Sequence, residues 1–137
     1  MSYETCRADL VVALETLVPA TLQRVYADPP ANVEDVPCAI LYGSSGYETW
    51  AFGGMVAPDQ VHTEQVRLVV HDESTAVAPS LVRALRVAVL AALRTHGGLG
   101  GDGVIERVGW SQPGTFPLGG RSFVGQDLQL TFAVLAP

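Results

Sequence analysis

The run VHTEQVRLVVHD, residues 61–72, alternates between two kinds of side chain. Val66, Leu68 and Val70 fall on one side, and Gln65, Arg67, Val69 and His71 on the other. Successive side chains of a strand point to opposite faces, so this run buries an apolar face only by staying extended. A second alternating run, VGQDLQLTFAVL, closes the chain and sets Leu128, Leu130, Phe132 and Val134 inward. Between the two lies one long helical pattern, from Pro79 to His96. Pro79 suits an early helical position and Gly97 a stop. At about 100° per residue, Val82, Leu85, Val89, Ala92 and Leu93 form one broad apolar face.

The remaining elements follow the same signals. SYETCRADLVVALETLV has apolar residues at Leu10, Val11, Leu14, Leu17 and Val18, with Ser2 as a cap and Pro19 as a stop, which predicts a first helix. LQRVYADPP reads as a short strand ended by Pro29–Pro30, and VPCAILYG as a second strand over 37–42. After the second helix, VIERVGW reads as a strand, SQPGTFPLGGRSF as a long turn, and the final run as the last strand. The order is α-β-β-β-α-β-β in one domain spanning 1–137. Consecutive strands without crossover helices predict an α+β fold: a mostly antiparallel sheet of four to five strands, two helices packed on one face, and a long loop or hairpin arm.

Composition narrows the function. The 137 residues are 48% hydrophobic and carry a formal charge of −6. That is apolar enough for a real core and too acidic for a chain that reads nucleic acid through its phosphates. All eight basic residues are Arg, the cation that favours bidentate, partly buried contacts. LVRALRVAVLAALR, the most apolar stretch, is interrupted by Arg83 and Arg86 and is no membrane span. Glu4 and Asp9 stand where a signal peptide would be positive, so the expected compartment is a cytoplasm. Cys6 and Cys38 match no metal spacing and are expected to be buried thiols.

Three motifs imitate chemistry. GLGGDG, 98–103, satisfies G-x-G-x-x-G, but it follows a helix and precedes a strand, the reverse of a dinucleotide site. A phosphate there would meet the negative end of the helix dipole, so a flexible turn is the better account. HDES, 71–74, offers an imidazole, carboxylates and a hydroxyl, yet neighbours on a strand face opposite ways, and a triad is assembled from distant positions. His62, His71 and His96 have no H-x-x-x-H or C-x-x-C companion that would make a metal site. No catalytic residue, cofactor or metal is expected.

Two surfaces stand out instead. On the second helix Arg83, Arg86 and Arg94 lie opposite the apolar face, with Val87 and Leu90 set among them. Either the arginine stems cover those aliphatics or the face is a subunit contact. GYETWAFGGMVAPDQVHTEQ, 46–65, places Trp50, Phe52, Met55 and Val56 on a connection longer than compact domains ordinarily use. It folds back over its own sheet, or it forms an arm, even an extended hairpin, whose aromatic residues anchor an adjacent copy.

The arrangement resembles the tail-terminator (tail-completion) proteins of long-tailed bacteriophages, and more loosely their head–tail joining relatives. The likeness is carried by the N-terminal helix, RVYADPP, PCAILYG, the aromatic and glycine-rich excursion, EQVRLVVHD, the single long helix, and the final VIERVGW and GRSFVGQDLQLTFAV. It spans nearly the whole chain through order and texture, since the family has no tight signature. The resemblance implies a non-enzymatic ring, commonly of six, in the virion neck. Such a ring caps the tail tube, stops its polymerisation and meets the head-side connector, while DNA passes through the hole unbound. Glu64, Glu106 and Asp127 are the acids on or beside expected strands that such a lumen could display. A head-side stopper or adaptor, or a small cytoplasmic ligand-binding domain, are the alternatives.

Overall fold

The computed structural model describes residues 3–50, 59–72, 78–96 and 103–134. The chain is α+β, with helices α1 (Tyr3–Glu15) and α2 (Ala78–His96) and six strands. These are β1 (Arg24–Tyr26), β2 (Cys38–Thr49), β3 (Asp59–Asp72), β4 (Gly103–Trp110), β5 (Gly114–Leu118) and β6 (Arg121–Val134). The sheet order is β1-β2-β3-β6-β4, with β5 paired to β6. All pairings are antiparallel except that of β1 with β2.

The long antiparallel pair β3–β6 forms the spine, in register from Gln60↔Val134 to Asp72↔Phe123. With β3 along one edge of β6, the other edge holds β4 beside Leu128–Val134 and β5 beside Arg121–Gly125, in tandem. The step between them is tied down: Ser111 N–H donates to Asp127 O at 3.0 Å, and the Gln126 side-chain amide donates to Ser111 O. The segment expected as a second long turn is therefore mostly strand. Gly119 and Gly120, with φ of +58° and +80°, make the two-residue hairpin turn that joins β5 to β6. Two positive φ values are what such a turn needs, and glycine adopts them without strain. Pro117 is admissible because β5 is an edge strand.

Both helices cover one face of the sheet. Leu10 and Leu14 of α1 and Val82, Leu85, Val89 and Leu93 of α2 pack on Leu41, Val66, Leu68, Leu128, Leu130 and Phe132. Each such side chain contributes about 1.5–3 kcal/mol by leaving water. Cys6 and Cys38 are buried and form no disulfide, and desolvation, then the charge of Asp35, pushes the Cys38 thiol up to about 12. The opposite face has a smaller core at the β1 end, where Val33, Cys38, Ile40, Val69 and Phe123 close together. The link at 27–37 lies over this face and abuts the Gly119 turn, where a Cβ would stand 2.5 Å from Asn32 Oδ1. Phe123→Ala is expected to cost about 3–5 kcal/mol in equilibrium urea unfolding, because Phe123 is buried in this second core.

Candidate subunit interface

The connection expected over 46–65 is for the most part an extended hairpin. β2 and β3 stay paired out to Thr49↔Asp59. Phe52, Met55 and Val56 lie outside the described residues. A bulge at Tyr42, with Gly43 at φ +112°, re-aims β2 as it leaves the core. Beyond it Ser44, Gly46 and Glu48 lie opposite Glu64, His62 and Gln60 on the helix side, while Ser45 and Tyr47 lie on the helix-free side. β1 borders β2 only at Cys38–Ile40, and among the described residues no strand borders Gly43–Thr49 on that edge. Tyr47 and Trp50 are 64% and 66% exposed, so Trp50 does not fold back onto the sheet. Its indole N–H donates to Glu48 at 2.8 Å, and Gln60 donates to the other carboxylate oxygen at 2.6 Å. These two bonds, the Trp50 one foremost, hold the Glu48 carboxyl below its ordinary range.

The second surface lies at the opposite edge of the sheet. Val87, Val104 and Trp110 are 60%, 52% and 52% exposed. Between α2 and β4 runs a groove of about 570 Å³, lined by Leu90, Leu93 and Arg94 of the helix and by Val104, Val108 and Trp110 of the strand. Arg83 and Arg94 point to solvent. Arg86 differs from the expectation: its guanidinium lies 4.6 Å from the Trp110 ring centroid and 3.4 Å from Gln126 Oε1. That cation–π and hydrogen-bonded contact fastens α2 to its own sheet.

Two of the three acids considered for a lumen are engaged inside the fold. Glu64 is fully buried beneath α1. Arg7 Nε reaches it at 3.1 Å, Tyr3 donates its hydroxyl to it, and the Gly43 N–H donates at 3.2 Å. Desolvation and then the Glu64 hydrogen bond raise the Tyr3 pKa. A buried carboxylate needs such hydrogen-bonding partners, and the alternation already signals this site, since Glu64 shares its parity with Val66, Leu68 and Val70. Asp127 accepts a bidentate pair from Arg67, at 2.8 and 3.1 Å, and the guanidinium stacks on Phe116 at 3.7 Å and Tyr42 at 4.9 Å. Glu106, bulged out of β4, is the exposed acid of the three.

His62 stacks on Tyr3 with centroids 4.5 Å apart, and desolvation lowers its pKa against the pull of Glu64. Its Nε2–H donates to Gln60 Oε1 at 2.9 Å, which leaves Nδ1 to accept from the Ser44 hydroxyl at 3.1 Å. The pair has the shape of a nucleophile and base, but an amide, not a carboxylate, orients the ring. His96 binds Asp9 at 3.0 Å and ties α2 to α1. Among the described residues no group of three His, Cys, Asp or Glu is placed to hold a metal, and no helix is long and apolar enough to cross a membrane. The sequence matches no protein-family model and no curated protein at significance.

The buried pair gives a direct test. Arg7→Leu leaves Glu64 without its cation and is expected to cost about 3–5 kcal/mol in urea unfolding. Adding Glu64→Gln recovers a large part, since an amide needs no counter-charge. Equal stability of the single and double variants contradicts this assignment.

Proposed function

We propose that the chain is a ring-forming structural subunit, a phage tail terminator that caps the tail tube, stops its polymerisation and joins it to the head connector. One observation carries the reading: two different apolar surfaces stand exposed on opposite edges of the sheet, Tyr47 and Trp50 on the arm and Val87, Val104 and Trp110 beside α2 and β4. A single self-complementary patch would pair two copies; two unlike patches suit a head-to-tail contact that closes into a ring. The described surface adds a groove of open, apolar character between α2 and β4, a form suited to a macromolecular neighbour.

The sequence texture supports the same reading. The order of elements resembles that of the terminators, and the net charge of −6 suits a passage through which DNA slides without sticking. With Glu64 and Asp127 neutralised internally, Glu106 is the acid of the three with a charge to offer. The partners are then further copies of the chain, commonly six in all, the tail-tube protein below and the connector above.

Trp50→Ala is expected to abolish or strongly weaken ring formation, in solution and on isolated tubes, while leaving the fold intact, since Trp50 is largely solvent-exposed. Loss of an aromatic anchor at an interface centre costs about 2 kcal/mol or more per contact, and a ring repeats it at every joint. Unaltered ring formation contradicts the role of the arm. Electron microscopy of phage lacking the chain separates the terminator from its neck relatives. Overlong or unfinished tails are the expected result, and heads that leak DNA indicate a stopper.

A further inference from the structure

We infer that the joint between copies is a continuation of the sheet: the free edge of β2, Gly43–Glu48, adds antiparallel to β4 of the next copy. There, α2 of that copy covers the arm. The inference rests on the ring reading above and specifies its chemistry.

The backbone supplies the first argument. β2 beyond Ile40 and β4 along its outer side are both open edges among the described residues. Natural edges are blunted by Lys, Pro or inward charge, and Gly43–Thr49, GSSGYET, has no Lys or Pro and one acid. A strand of this kind is suited to being paired in use. β2 runs parallel to β6, and β4 antiparallel to it, so β2 and β4 are antiparallel within one copy. Rotation about an axis along the strands preserves those directions, which makes the joint antiparallel.

Side chains supply the register. On the helix-free face Tyr47, Val61, Ala133 and Val104 form one apolar row across four strands. Ser45, Thr63, Thr131 and Arg107 form the next, with Thr63 and Thr131 hydroxyls 3.2 Å apart, and Gly43, Gln65, Gln129 and Gly109 a third. Setting Tyr47 of one copy opposite Val104 of the next continues all three rows. The same register sets Gly46 opposite Ile105 and Ser44 opposite Val108, with the Glu106 bulge absorbing the extra residue.

The helix layer supplies the third argument. Over the arm, the helix side of the sheet carries small residues at Ser44 and Gly46 and an open concavity of about 400 Å³ that reaches Glu48, Gln60 and His62. Beside β4, α2 forms the far wall of the groove with Leu90 and the exposed Arg94. Sheet addition sets that wall beside the concavity. Leu90 then meets Ser44 and Gly46, and Arg94 meets the Glu48 carboxylate, opposite charges at a desolvating contact.

Cysteine cross-linking tests the register. Cys6 and Cys38 are buried, so introduced surface thiols dominate the reaction. Tyr47→Cys chains mixed with Val104→Cys chains are expected to give a covalent dimer under mild oxidation, alone and on tail tubes. Either variant by itself, or Tyr47→Cys mixed with Thr115→Cys on the β5 edge, is expected to give none. In a second arm, Glu48→Arg and Arg94→Glu each weaken association by about threefold to tenfold, and mixing the two chains restores it, because every joint between unlike chains again sets opposite charges together. Rings that form without the Tyr47–Val104 cross-link, or that link to Thr115, overturn the joint and leave the ring reading standing. A wild-type chain that stays monomeric both in solution and on tubes overturns the ring reading and the joint with it.

Discussion

A strand of twelve residues bordered on its outer side by a strand of three leaves a row of peptide groups facing outward. Each peptide N–H and C=O is an obligatory hydrogen-bonding group, satisfied by chain or by water. β1 ends its pairing at Ile40, and everything distinctive about the surface follows from what β2 does afterwards. It bulges at Tyr42, turns through Gly43 and continues as an arm that, among the described residues, β3 alone borders. On the other side of the sheet β4 ends the order in the same open condition among the described residues. The two edges, of like length and opposite direction, are what the proposed joint closes.

The arm is stiff because its root is pinned. Glu64 sits where β2 leaves the core and takes hydrogen bonds from Arg7 and Tyr3 of α1 and from the Gly43 backbone of β2. One carboxylate thereby ties helix, strand and bulge together. The stack of Tyr3 on His62, and of His62 near Phe132 at 5.7 Å, extends that anchorage one further register step toward the tip. On the opposite face Arg67, held by Asp127 and resting on the rings of Tyr42 and Phe116, performs a similar service. Charges that a sequence reader would assign to solvent or to a lumen are spent on orienting the arm, and buried ion pairs of this kind specify geometry at little net gain in stability.

Where burial drives the pattern, the sequence is legible. The parity of Val66, Leu68 and Val70, that of Leu128, Leu130, Phe132 and Val134, and the apolar face of α2 all lie where the alternation puts them. Where a strand is exposed on both faces, the pattern vanishes. GSSGYET has no apolar face to show, so β2 reads as ending at Tyr42 although it stays paired to Thr49. GTFPL has a half-buried face at Phe116 and Leu118, but Gly114 and Pro117 give it the look of a turn, although β5 pairs residue by residue with β6. The parallel β1–β2 pair has no crossover helix to announce it. At the candidate interface Trp50, Val87, Leu90 and Arg94 sit at the surface or beside the groove, whereas Arg86 turns inward, because a guanidinium's choice between solvent and a nearby Trp ring leaves no trace in periodicity.

Amide hydrogen exchange on the dissociated and the assembled chain reads the peptide groups of the joint themselves. Gly43–Glu48 and Gly103–Trp110 are both expected to gain strong protection on assembly, together and to a similar extent, while β3 and β6, already paired on both sides, change little. Assembly that leaves the amides of either edge exchanging as freely as before contradicts the joint.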